Sequence, residues 1–226
     1  MNRKYTAWKK SRKFGDIYGG RTRARLNDNI FMRAHSLKRP SSTDELPILI
    51  QDNPSRDFFF PISADEASEA IKALPKDDSL GITHIWLRRF SKTEYEKGAL
   101  PLAEFICGSG VRVIILYPFP KNMIMNLGSK KPSARKLKEL GEWCSDIKKA
   151  DGSWVLRWNL PALRKYYINN LLYHEVGHHV DWYNRYWTMA NARQAEEFAD
   201  QYAIQKTATA TQIFNKLEKL QTESFI

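Results

Sequence analysis

The chain has 226 residues, 42% hydrophobic and 12% aromatic, which suits one domain with an appendage or two small domains with a true apolar core. No stretch approaches the roughly 18 continuous apolar residues of a membrane helix, and Met1–Lys10 carries basic residues with no apolar run behind them, unlike a secretory signal. The default expectation is a cytoplasmic protein with no membrane partner. The net charge of +11 is concentrated at one end. Residues 1–40 hold twelve Lys/Arg against two Asp, a net +10, whereas the remaining 186 residues carry 24 basic and 23 acidic side chains.

Residues 1–45 read as a basic arm in which Tyr5, Trp8, Phe14, Tyr18 and Gly19-Gly20 interleave with the positive charge. Such a mixture can bind nucleic acid by phosphate neutralisation and base stacking, or meet an acidic partner. It equally describes a solubilising tail that packs partly on the body. Arg39-Pro-Ser-Ser-Thr43 looks like the link to the folded part. Cys107 and Cys144 lie far apart without metal-like spacing and read as reduced, packed residues, with a single disulfide left open.

Leu46–Gln51 is a candidate short strand, and Phe58-Phe-Phe60 an apolar run ended by Pro61. Ser63-Ala-Asp-Glu66 has the form of a capping box. Ala67, Ala70, Ile71 and Leu74 follow at helical spacing, and Pro75 stops the helix. Ile82–Leu87 and the β-branched Val111–Tyr117 read as strands, with Phe105–Gly110 between them as a third strand or a turn. Pro132–Lys149 is expected to form a second helix with Leu137, Leu140, Trp143, Cys144 and Ile147 as its buried stripe. Asp151-Gly152 is a turn and Ser153–Trp158 a strand. Asn159 then caps a helix, with Pro161 early in it, that is expected to run to about Tyr186. Two more helices are expected over about Ala192–Lys206 and Thr211–Leu220. The order implies an α+β fold, a small sheet backed by helices.

Within the long helix lies His174-Glu175-Val176-Gly177-His178, an H-E-x-x-H pattern. Positions i and i+4 share one helical face, so His174 and His178 can offer two imidazole nitrogens to one metal ion. Glu175 is rotated by about 100° and can reach a water on that metal as a general base. A short pattern of this kind also occurs in helices that merely contain histidines, so a third ligand decides its meaning. Eighteen residues after His178 comes Glu196-Glu-Phe-Ala-Asp200. Glu196 and Asp200 are again i and i+4. Glu196 can complete a His₂Glu zinc set with an open fourth position, and Asp200 can accept the outer N–H of a ligand histidine. Glu197 is the second choice of ligand. Ala199 between the carboxylates would let the two helices approach, and mid-helix Gly177 makes sense if another element crosses closely there.

Other polar residues carry weaker signals. His179 faces away from the shared metal face and reads as a non-ligand, at the surface or behind the ligands. Asp181 is a brace for the helix end or a surface group. Tyr173, Tyr183 and Tyr186 are candidate donors to an oxyanion or packing residues, with nothing in the spacing to select one. His35 and His84 read as structural.

His174-Glu-Val-Gly-His178 followed by Glu196-x-x-Ala199-Asp200-x-Tyr202-Ala203 resembles the ImmA/IrrE-type metallopeptidases, whose pattern is H-E-x-x-H and then E-x-x-A-N-x-F-A. Asp200 and Tyr202 depart from it mildly. The same residues are similar to thermolysin-like zincins, and the stretch through Asp181 with Glu196–Asp200 resembles the catalytic domain of anthrax lethal factor. The resemblance covers about residues 160–205. It implies a gluzincin-like zincin domain over residues 46–226: a small mixed β-sheet packed on the H-E-x-x-H helix, its edge strand beside the cleft, then a helical C-terminal part. It also implies zinc as cofactor and a protein or peptide as substrate, including a regulatory or DNA-bound protein. Two other readings accompany it. One is a nucleic-acid-associated regulator with a metal-sensing or non-cleaving site, motivated by residues 1–40; the other is a protein-cleaving toxin or effector.

Overall fold

Strand β5 (Val111–Leu116) is the axis of the fold, because its period-two side chains feed two separate cores. Ile114 and Leu116 face the main core, whereas Val111, Val113 and Ile115 join Phe58, Phe90, Ile106 and Tyr117 on the opposite side. A strand buried on both faces needs an unbroken β-branched and leucine run, which this one has. In this computed structural model, residues 37–90, 95, 101–108, 110–144, 146–185 and 189–223 are described. The first 36 residues of the basic arm, including His35, and Tyr186 lie outside the described residues.

Strand β1 (Ile48–Gln51) pairs parallel with β3 (His84–Leu87), β3 pairs parallel with β5, and β4 (Ala103–Gly108) closes the row antiparallel to β5. The segment left open between strand and turn is thus the edge strand β4. Short β2 (Phe58–Phe59) and β6 (Phe119–Pro120) form a separate antiparallel pair. The crossover from β1 to β3 carries helix α1 (Ala64–Lys72) and the single-turn α2 (Lys76–Ser79). Ser63 and Glu66 form the capping box, with Ser63 Oγ accepting from Glu66 N at 3.1 Å and Glu66 Oε2 accepting from Ser63 N at 2.8 Å. Ala67, Ala70, Ile71 and Leu74 are buried against the sheet.

The expected helix over Pro132–Lys149 is half right. Helix α3 spans Ala134–Gly141, after which β8 (Asp146–Ala150) pairs antiparallel with β9 (Ser153–Arg157), and β7 (Ile124–Gly128) joins the far side of β9. The deciding residues are Asp151 and Gly152, both at positive φ (47° and 78°). Two consecutive positive-φ residues make the hairpin turn whose twist matches flanking strands, so Asp-Gly demands a strand on each side. Ile147 therefore packs against the core from a strand, while Leu140 is buried at the end of α3.

Asn159 caps α4 (Leu160–Tyr166), its Oδ1 accepting from Ala162 N at 2.8 Å. The expected uninterrupted helix then widens into a π-helical turn over Tyr167–Leu172 before α5 (Tyr173–Asn184). Neither glycine nor proline marks that turn in the sequence. A 3₁₀ turn (Met189–Asn191) leads to α6 (Ala192–Gln205), and α7 (Thr207–Glu223) follows at once. The class is α+β, with three small sheets among the described residues and the helices gathered mainly toward the C-terminus. Among the described residues no helix is long and apolar enough to cross a membrane. Cys107, buried, and Cys144, half-buried, are not joined in a disulfide.

Arg164 ties this assembly together. Its guanidinium is buried and donates to Glu66 Oε1 at 2.8 Å, to Glu218 Oε1 at 2.8 Å and to the Pro61 carbonyl at 3.0 Å. One side chain thus joins α4 to the start of α1 and to α7.

Candidate metal centre

Helix α5 lies against the inside of the sheet at β4 and packs on α6 along its other side. The crossing with α6 is unusually close at one point. A Cβ placed on Gly177 would stand 2.8 Å from the Ala199 Cα and 3.1 Å from the Tyr202 Cβ. Real Cβ atoms do not come so near a backbone carbon, so this contact requires glycine. Ala199, fully buried, supplies the smallest side chain on the α6 face. The two small residues let Glu196, one turn earlier on α6, reach the α5 imidazoles.

The His174 and His178 rings stand 4.6 Å apart and nearly perpendicular. Glu196 Oε2 is 3.5 Å from His174 Nε2, and Oε1 is 3.6 Å from His178 Nε2. One ligand atom from each of these residues can be chosen so that all lie within 4.8 Å of one another. A tetrahedral centre with metal–ligand bonds of about 2.0–2.1 Å places neighbouring ligands about 3.3–3.4 Å apart, close to the carboxylate–imidazole separations here. Two imidazoles with one carboxylate is also a donor set suited to zinc. The residues present fit such an ion.

Asp200 Oδ1 lies 3.1 Å from His174 Nδ1. With Nδ1–H donating to the carboxylate, the lone pair of that ring sits on Nε2, toward Glu196. The electrostatics favour positive charge at the imidazoles. Burial opposes charge on His174, but Glu196, Glu175 and Asp200 together outweigh it and hold its pKa above the usual value. Bonding to His174 and His178 holds the Glu196 carboxyl well below the carboxylate range, against the opposing effect of burial. Glu175 is 6% exposed, and burial pushes its carboxyl up despite the pull of both imidazoles. The cluster is a pocket of negative charge around two imidazoles, an environment for a cation.

Glu197 is turned away and accepts from Arg193 Nε at 2.7 Å, one turn back on the exposed face. The structure brings Glu196, not Glu197, to the histidines. His179 is not a surface residue: it is fully buried, its Nε2–H donates to the Leu80 carbonyl at 3.0 Å, and its ring meets Phe105 of β4 edge-on. Burial, with Arg112 nearby, lowers its pKa to about 4. Asp181 is 1% exposed and braces the end of α5, receiving Arg185 Nε at 3.0 Å. Of the tyrosines, Tyr173 donates to Ala70 O in the core and Tyr183 reaches Leu80 O at 3.4 Å, so packing is what their positions support. His84 is buried with its Nδ1 on Thr83 Oγ1, a structural placement.

Two features carry no short-range signal. Glu104 on edge strand β4 accepts from the Tyr117 hydroxyl, and its charge is felt at Glu175, raising the pKa there. The α2 turn brackets both site helices from behind. Asp78 Oδ2 accepts from the Tyr202 hydroxyl of α6 at 2.8 Å and pairs at 2.9 Å with Lys206, which caps the C-terminal end of α6, while Leu80 O holds His179 of α5. Only the fold brings these residues, 99 positions apart in one pair and 124 in another, to the back of the centre. Comparison with family models, curated proteins and solved structures finds no match for this chain.

Proposed function

We propose that this protein is a zinc-dependent endopeptidase of the zincin type, with His174, His178 and Glu196 as metal ligands and Glu175 as general base. The observation that carries the reading is the convergence of the two Nε2 atoms and the Glu196 carboxylate from separate helices, with Asp200 behind His174. Zinc held there supplies Lewis acidity, lowering the pKa of a bound water toward about 7 and polarising a carbonyl.

The chain's own groups divide the remaining work. Asp200 keeps the proton of His174 on Nδ1 and the ring in place. Glu175, one residue beyond His174 and buried, takes a proton from the attacking water on its carboxylate and returns it to the departing amine. Edge strand β4 lies beside α5 and ends the sheet, so an extended substrate can add to it by main-chain hydrogen bonds. The mixed sheet, the antiparallel edge strand and the H-E-x-x-H helix against it support a gluzincin-like arrangement, and E-x-x-A-D at Glu196–Asp200 supports kinship with the ImmA/IrrE type. The +10 charge of residues 1–40 favours a substrate or location associated with nucleic acid.

The test is mass spectrometry of cell extract incubated with wild type and with Glu175→Gln. New protein termini made by wild type alone support the reading. Identical termini in both, with wild type carrying about one zinc per chain, would refute it.

A further inference from the structure

A cavity of about 630 Å³ shares His174 and Asp200 with the candidate centre. Its remaining walls come from five elements: the α4 end, the π-helical turn, the far half of α6, the first residue of α7, and α3 with the loop behind it. Tyr166, Asn169 and Ala203 are buried and form its base. Trp143 stands beside Tyr166, the rings 5.7 Å apart and edge-on. Ile204 also lines it while 70% exposed, an apolar side chain that no protein neighbour covers fully.

The chemistry of these walls selects an occupant. Lys138 and Glu142 are both exposed, and their opposite charges leave the entrance without a net sign. Asp200 is engaged with His174. An anionic side chain would meet two carboxylates and one amine, and a cationic one would exchange water for tryptophan, tyrosine and isoleucine walls. A bulky apolar side chain finds favourable surface on Trp143, Tyr166, Ala203 and Ile204. The volume is on the scale of about 300–1,000 Å³ that holds small ligands, room for an aromatic side chain with part of its backbone. A second observation marks the same place. Asn169 sits in the π-helical turn, 4% exposed, and its Oδ1 is buried with no hydrogen-bond partner among the described residues. π turns recur at functional sites, and an unsatisfied buried oxygen is rarely kept without cause.

We infer that this cavity is the specificity pocket of the peptidase, taking a bulky apolar side chain, aromatic for preference, from the substrate residue beside the scissile bond. The inference rests on the peptidase reading for the identity of its ligand. The continuity through His174 sets the register: a peptide bond at the centre leaves the neighbouring side chain at the cavity mouth.

The experiment reads binding, not turnover. Full-length protein with labelled alanine and isoleucine methyl groups is titrated with N-acetyl-phenylalanine amide, and separately with N-acetyl-glycine amide, while the Ala203 and Ile204 signals are followed by NMR. Saturable shifts with the phenylalanine amide and none with the glycine amide are expected. Ala203→Trp, which fills the base, abolishes them at Ile204. Ile204→Glu, at an exposed position that folding does not depend on, weakens them at Ala203 about tenfold, the scale of one or two lost apolar contacts. Equal responses to both amides, or a phenylalanine response unchanged in Ile204→Glu, would overturn the pocket. So would a wild-type cleavage profile with no bulky apolar residue beside the cut. Absence of zinc or of hydrolysis would instead sink the peptidase reading and leave the NMR result standing on its own.

Discussion

Gly177 and Ala199 meet backbone to backbone, so that any side chain on Gly177 would have to move α6. The added Cβ would lie 2.8 Å from the Ala199 Cα and 3.2 Å from its carbonyl oxygen. Both atoms are backbone and cannot swing aside. This contact sets the separation of the helix carrying His174 and His178 from the helix carrying Glu196.

Gly177→Ala therefore sets two effects against each other. Helix propensity favours alanine by about 1 kcal/mol, but overpacking costs about 1–3 kcal/mol. The expected net is destabilisation by about 1 kcal/mol, together with weaker zinc binding because Glu196 is carried away from the imidazoles. Chemical denaturation and competition with a chelator measure the two. A variant that is more stable and binds zinc as well as wild type would show that the helices are free to separate.

Glu196→Ala should lower zinc affinity by more than the roughly 10–100-fold expected for loss of a group behind the ligands. Glu197→Ala should leave it unchanged, because Glu197 is occupied with Arg193 at the surface. Metal analysis after dialysis against a zinc buffer separates the two variants, and the reverse order would assign the third ligand to Glu197.

Asp200→Ala should cost about 10–100-fold in zinc affinity with little change in folding, since the Asp200 side chain is 53% exposed. Asp200→Asn keeps a hydrogen-bond acceptor for His174 Nδ1–H and should recover most of the loss. Isothermal titration of the metal-free proteins gives both numbers; equal losses in the two variants would mean that charge rather than ring orientation is what Asp200 provides.

His179 makes stability depend on pH. Burial lowers its pKa to about 4 in the folded protein, against about 6.5 in an unfolded chain. Between those values the unfolded chain binds a proton that the folded one does not. Stability is thus full above pH 6.5 and falls as pH drops toward 4, by about 2 kcal/mol at pH 5. Urea denaturation of metal-free wild type and His179→Gln at pH 7.5, 6 and 5 isolates the contribution, because the two proteins differ at this side chain alone. The variant should show the flatter profile; parallel profiles would mean His179 is protonated without cost.

Arg164→Ala should destabilise by about 3 kcal/mol, since it takes the guanidinium away from the Glu66 carboxylate, whose side chain is 15% exposed. Arg164→Lys should recover only part of this, because one ammonium cannot reproduce three divergent donors. Denaturation midpoints test it, and a full rescue by lysine would reduce the clasp to simple charge.

Much of the candidate centre was legible before any fold was known. The phase of His174 with His178, and of Glu196 with Asp200, follows from 3.6 residues per turn and needs no partner. The Ser63–Glu66 box and the Asn159 cap are likewise interactions within four residues. The error over residues 132–149 had a local remedy: Asp151-Gly152 is a two-residue hairpin turn, and it outweighs an apolar spacing that fits helix and strand alike.

The rest depends on surfaces that meet only when the chain is folded. Spacing leaves Glu196 and Glu197 both possible, because which faces α5 depends on how α6 docks, and that is set by the contact at Gly177 and Ala199. His179 is a surface histidine on a bare helix. It is buried here because Phe105, Leu80 and Tyr183 arrive from distant parts of the chain. The cavity beside His174 is likewise a product of packing: α3, the π-helical turn and α6 leave it between them. The sequence by itself determined which side chains share a helical face, since that is covalent geometry and local hydrogen bonding. The tertiary structure decided which faces meet and how closely, since that is the packing of side chains far apart in the chain.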